Sequence, residues 1–181
     1  MRRALVAPDA DFPDDLPGAV LMAVVLEGST AHVAWVSGDV AIIARDANVI
    51  FETIPHSLVE RFRQEHPEVA DLSAVPNVIV RTIGPKAPDA DPPDYLTTTL
   101  AVDDTLVLLS RAAFRGPCVP ARDAAATAAS TKEPSALAAQ LADTAFGNTD
   151  AAYAAVAVLR MEASPFATST KKGVHSFVIG S

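Results

Sequence analysis

Three short stretches carry side chains that could do chemistry. Gly38-Asp39 separates two apolar runs, Ser110-Arg111-Ala112 ends another, and Asp150 stands just ahead of the last long apolar stretch. Carboxylates at such breaks are the oxygen donors that hard divalent cations require. They serve equally well as turn residues bonded to nearby backbone. Arg111 is no ligand, because a guanidinium stays protonated and has no lone pair to offer. His32, His56, His66 and His175 are scattered, and none has the i, i+4 partner of a helical metal site. Ser57 and Ser110 with His56 as base make a nucleophile set on paper, but no Gly-x-Ser-x-Gly elbow accompanies them. Cys118, the single cysteine, excludes an intramolecular disulfide and a cysteine-based zinc site. No Walker loop or dinucleotide fingerprint occurs.

The elements that must position these residues belong to a folded domain. Of 181 residues half are hydrophobic and a fifth charged, enough for one sizeable core and too few for two. Net charge is -8, and Lys and Arg form no stripe, which argues against a nucleic-acid partner and an anionic membrane. The longest apolar run, residues 19–26, is far too short to span a bilayer. Met1-Arg2-Arg3 leads quickly to Pro8-Asp9 rather than to a signal peptide, so a cytoplasmic protein is expected. Heavy use of Ala, Pro, Arg and Asp suggests a bacterial source.

Residues 1–17, Pro- and Asp-rich, read as an irregular lead-in, 18–161 as the domain, and 162–181 as a tail. Within the domain, 19–26 with 32–36 and 40–45 with 49–54 read as hairpins, the second turning at Asp46-Ala47-Asn48. Ser57 with Glu60 three residues on caps a helix whose buried face is Phe62, and His66-Pro67 ends it. Residues 77–83 alternate like a strand, and the acidic loop through Asp94 reads as a solvated turn. Two strands, 95–102 and 105–110, flank Asp103-Asp104. Alanine-rich helices follow at 122–129 and 135–146, then a strand at 151–161 and an edge strand at 175–179. Trp35 is expected as a core anchor. Hairpins, helix, strands, helices, strand is an α+β order with largely antiparallel pairing.

That order and its punctuation resemble the PPM-type (protein phosphatase 2C) family. Residues 18–36 lead to Ser37-Gly38-Asp39-Val40, where the family has two strands and Asn-x-Gly-Asp-Ser-Arg. Arg45-Asp46-Ala47 stands at its Arg-x-Gly turn, and Thr53-Ile54-Pro55-His56-Ser57 at its Thr-x-Asp-His-Ser. Arg81-Thr82-Ile83-Gly84 matches Arg-x-x-Gly. Residues 103–112, ending in Ser110-Arg111-Ala112, match a Gly-Asp strand that ends in Ser-Asp-Gly. Asp150-Ala151 falls at the closing Asp-Asn. Each match is short; it is their shared order and spacing that carries the resemblance.

The resemblance implies a four-layer αββα sandwich of two antiparallel sheets, here truncated at its N-terminus. The family's first strands, first long helices and Asp-Gly-x-Gly-Gly motif would precede Gly18, so the chain is expected to be a fragment or a cut-down fold. Such a domain would leave apolar surface to a protein partner or to self-association. The family holds two Mg²⁺ or Mn²⁺ ions that activate water against a phosphoester. Of its metal carboxylates Asp150 remains, with Asp39 near a weaker third site, while Arg111 replaces the Ser-Asp-Gly carboxylate. The expectation is a catalytically inactive PPM-like domain with a regulatory or binding role near Ser/Thr phosphorylation signalling, with no cofactor. Arg111 is expected to pair with Asp150, or with Asp39, in place of a metal. The alternatives are the C-terminal part of an active Mg²⁺- or Mn²⁺-dependent phosphatase, and a structural interaction module.

Overall fold

The computed structural model describes residues 19–36, 38–72, 74–76, 78–84, 92–110, 121–147, 155–163 and 174–179. Among the described residues, alternating or continuous apolar runs build eight strands. β1 (Leu21–Glu27) and β2 (Thr30–Val36) form the first hairpin, turning through Gly28 at φ 59. β3 (Val40–Arg45) and β4 (Asn48–Glu52) form the second. Its two-residue turn, Asp46 and Ala47, has φ of 48 and 65, the left-handed pair that a tight hairpin demands. One residue more than expected, Asn48, joins β4, and the pairing skips Ile50 as a bulge.

β5 (Asp94–Thr99) and β6 (Thr105–Leu109) do not pair with each other across Asp103-Asp104. β5 joins the sheet β5-β2-β1-β8, and β6 joins β4-β3-β6-β7. The turn between them therefore passes the chain from one sheet to the other. β7 (Val156–Arg160) is shorter than the stretch expected, and β8 (Val174–Ile179) pairs antiparallel with β1 inside the stretch read as a tail. Residues 78–83 form no strand. They make two isolated bridges, Ala19 with Ile83 and Ser57 with Ile79, and leave Val78 and Val80 exposed.

Side-chain alternation then assigns two cores. Met22, Val24, Val33, Trp35, Ile43, Leu106 and Leu108 fill the space between the sheets. The opposite faces of β3 and β6, through Val40, Ile42, Val107 and Leu109, pack on α2 (Ala121–Ser130) and α3 (Pro134–Gly147). Alanines at 121, 124, 125 and 128 let α2 lie close to the sheet, while Leu137 and Leu141 supply the bulk from α3. Glu133 caps α3, its Oε2 accepting from the Ala136 amide at 2.6 Å. Trp35 is 7% exposed and donates from Nε1 to Ile54 O at 3.2 Å, the anchor expected. α1 (Leu58–Glu65) is capped as expected, Ser57 accepting from the Glu60 amide at 3.2 Å. Phe62 does not reach a core; it is half-buried and lies against His66 at 4.5 Å.

Candidate functional site

One end of the second sheet gathers polar residues that the strands bury. Asp39 precedes β3 and is 1% exposed; Ser110 follows β6 and is 2% exposed. Because Val40 pairs with Leu109, the two lie side by side at the same sheet end. Ser110 N donates to Ala155 O at 2.9 Å, and Ala155 N donates to Ser110 Oγ at 2.9 Å. The serine hydroxyl thus ties β6 to β7 and is not poised as a nucleophile. Thr53 plays a similar part, its Oγ1 accepting from Ala41 N and its amide donating to Ala41 O, both at 2.9 Å. Arg111 and Asp150 lie outside the described residues, though each neighbours this sheet end in sequence.

A divalent cation needs several oxygen ligands around one point. Among the described residues no three His, Cys, Asp or Glu side chains gather so as to hold a metal ion. Asp39 is the carboxylate they bring to this end, and by themselves they do not fit a two-cation centre.

A second polar junction fastens the irregular segment to the first sheet. His56 Nε2 lies 3.0 Å from Asp94 Oδ2 and 2.9 Å from Arg81 Nη1. Arg81 Nη1 also donates to Asp94 Oδ1 at 2.9 Å, and Nη2 donates to Pro92 O. With its proton on Nε2, His56 donates to Asp94; in the other tautomer that nitrogen accepts from Arg81 instead. Burial raises the affinity of Asp94 for a proton, yet the bonds from His56 and Arg81 outweigh it and hold the carboxyl below its ordinary range. Asp94 is therefore an ion-pair residue rather than a solvated turn. His56 is held by this ion-pair junction, while the neighbouring Ser57 hydroxyl is engaged by the Glu60 amide.

The third junction is the strongest in geometry. Arg45 grips Asp104 with two parallel bonds, Nε to Oδ1 and Nη2 to Oδ2, both 2.7 Å. Oδ2 also accepts from Ala101 N at 2.7 Å, and Asp104 is fully buried. Arg45, Arg81 and Asp104 each sit at a position that punctuates the chain, but their partners come from 59 residues away in one case and 13 in the other. No spacing rule reaches that far.

Comparison with known proteins rests on shape. No family model matches the chain, and no curated protein matches it. The serine/threonine phosphatase of S. agalactiae superposes with a TM-score of 0.70 at 20% identity, over 86% of this chain and 63% of that one. The PPM Ser-Thr phosphatase of Mycobacterium smegmatis, solved with cacodylate, gives 0.65 at 19% identity over 82% and 65%. The catalytic domain of the phosphatase PstP, solved with 2 manganese ions, gives 0.58 at 14% identity over 80% and 60%. The chain thus spans a little under two thirds of the length of these phosphatases. The order of strands, the two facing antiparallel sheets and the helices on the second sheet give this chain the fold of the PPM-type Ser/Thr phosphatases.

Proposed function

We propose that this chain is a PPM-fold domain without phosphatase activity, with a binding or regulatory role near Ser/Thr phosphorylation signalling. The observation that carries this is Ser110-Arg111-Ala112, which follows the central strand β6 where the family resemblance calls for Ser-Asp-Gly. An arginine there removes a cation ligand and adds a fixed positive charge that would repel the ion. The same charge can bond a carboxylate in a bidentate manner. Arg111 accordingly pairs with Asp150, or with buried Asp39, and replaces the cation as the group that neutralises this sheet end. The domain acts in the cytoplasm through a protein partner or a second copy of itself. Its net charge of -8 supports a protein over nucleic acid, and no helix among the described residues is long and apolar enough to cross a membrane.

The test is hydrolysis of an aryl phosphate by the purified chain in excess Mn²⁺. No turnover above a buffer blank is expected, since two metals need more than Asp150 and Asp39. Metal-dependent turnover that Asp150→Ala abolishes would overturn the proposal. A second reading, the C-terminal part of an active phosphatase, is favoured by the 63% coverage of the S. agalactiae enzyme. Coding sequence upstream for Asp-Gly-x-Gly-Gly would support it, with Arg111 still counting against it.

A further inference from the structure

The first sheet ends on a strand with an open edge. β5 bonds to β2, and no described strand lies on its other side. Leu100 N donates to Ser29 O at 2.8 Å, which continues the β5–β2 ladder past Thr99 and fixes its phase. Antiparallel bonding alternates along a strand, so Leu96 and Thr98 turn their amides and carbonyls to β2. Tyr95, Thr97 and Thr99 turn theirs away, and all are exposed. No backbone bond from another described segment reaches them. Native sheets blunt such edges with charge, proline or a bulge. β4, at an edge of the second sheet, has its bulge at Ile50. The stretch from Tyr95 to Thr99 has none of these devices, and its tyrosine and threonines are apt for strands. Nor does the Tyr95 ring cover the edge. Its hydroxyl lies 2.7 Å from His32 Nδ1, and the ring stacks on that imidazole at 6.2 Å, which draws it across β2.

We propose that β5 pairs antiparallel with β5 of a second copy of this chain, about a two-fold axis at Thr97, to make one continuous sheet. In that register Thr97 meets its own copy and Tyr95 meets Thr99, so every outward amide and carbonyl of Tyr95, Thr97 and Thr99 finds a partner. The neighbouring registers do worse. One sets Tyr95 against Ala101, whose amide is already given to Asp104 Oδ2 at 2.7 Å. The other sets Thr99 against Pro93, which has no N–H. On the exposed face the pairs are threonine with threonine and tyrosine with threonine, both favourable across strands. Asp94, the charged residue of the strand, falls opposite Leu100 and keeps its bonds to Arg81 and His56. These bounds make the strand self-complementary, which fits a second copy better than a foreign peptide. The pairing is isologous and uses both β5 edges, so through β5 it stops at a dimer. It gives a surface to the second-copy form of the binding role proposed above, and rests on that part of the reading.

The experiment is sedimentation of the full chain across a concentration series, with amide exchange followed by NMR on the same samples. A dimer that grows with concentration is expected, of the weak kind that a small interface gives. The amides of Tyr95, Thr97 and Thr99 are expected to gain protection as it forms, while Leu96 and Thr98 are protected at every concentration. In a half-labelled mixture, Leu96 Hα is expected to contact Thr98 Hα of the other copy, which reads the register directly. Thr97→Pro removes the central donor and leaves the β2 ladder intact, since an edge strand tolerates proline where its N–H faces solvent. It is expected to weaken the dimer about tenfold or more. Thr97→Lys sets like charges across the axis and is expected to weaken it too, with the melting temperature of the monomer kept. Lack of a dimer at millimolar concentration overturns the proposal. So does a dimer that either variant leaves unchanged, or one in which Tyr95, Thr97 and Thr99 gain no protection. Aryl phosphate turnover would overturn the inactive reading and leave this pairing standing, while a monomer without turnover would do the reverse.

Discussion

Asp104 shows how one carboxylate can govern stability against acid. The bidentate bond from Arg45 holds it below the ordinary aspartate range, burial opposes this, and the Ala101 amide adds to the lowering. A folded value below the unfolded one means the unfolded chain takes up the proton more readily. The stabilisation is therefore complete above the unfolded value of about 3.9, and it is lost as pH falls through the lower folded value. Thermal melts between neutral and strongly acid pH should show this loss in the native chain. Arg45→Ala is expected to melt lower at neutral pH and to flatten the acid limb, because Asp104 then keeps only the Ala101 amide to hold its carboxyl down against the effect of burial. An unchanged acid limb would show that Asp104 is not the group responsible. Arg111 can be tested in the same way. Arg111→Ala should lower the urea midpoint, and Arg111→Asp should lower it at least as far in metal-free buffer while regaining some of it with Mn²⁺. A neutral Arg111→Ala would end the proposed pairing with Asp150 or Asp39.

At the scale of the element, the β3–β4 hairpin keeps an alanine where the backbone favours glycine. Ala47 sits at φ 65, a conformation in which a Cβ crowds the following carbonyl. Ala47→Gly is expected to stabilise the domain by about 1 kcal/mol, less the entropy that a glycine loses on folding, as read by urea unfolding. A destabilised variant would mean that the Ala47 side chain packs usefully at the turn. α3 gives the converse case. Leu137 is fully buried between helix and sheet, so Leu137→Ala removes a side chain that its neighbours cannot replace. A loss of about 2–5 kcal/mol is expected, and a loss under the lower limit would mean that α2 closes onto the space.

For the whole molecule, the two sheets are treated differently. α2 lies on β3 and β4 and α3 on β7, so the main packing of the described helices on strands falls on the second sheet. The outward side of β5 and β2 instead shows Tyr95 at 62% exposure, bonded to His32 Nδ1 at 2.7 Å. Exposed Val78 and Val80 add apolar surface on the irregular segment. Self-association or capture of a protein partner is the expected outcome. Light scattering that finds a well-behaved monomer at high concentration would contradict the self-association, and the partner would then have to be found by other means.

What the sequence by itself determined is local. Alternation and turn residues place both hairpins, the Ser57 cap, the two alanine-rich helices and the α+β class, because period and φ preference act over a few neighbours. The ordered punctuation from Gly18 onward also carried the PPM fold, and placed Arg111 where the resemblance calls for a carboxylate. Tertiary structure decided what distance along the chain conceals. Asp103-Asp104 looks like a hairpin turn, yet the chain changes sheets there, because β6 buries both faces between the inter-sheet core and the helices while β5 only half-buries one. Residues 78–83 alternate like a strand but find no neighbour to ladder with beyond two bridges. Asp94 and Asp104 look alike as turn aspartates. Only the folded chain brings Arg81 and His56 to the first and Arg45 to the second, turning solvent-bound charges into the fastenings of the sandwich.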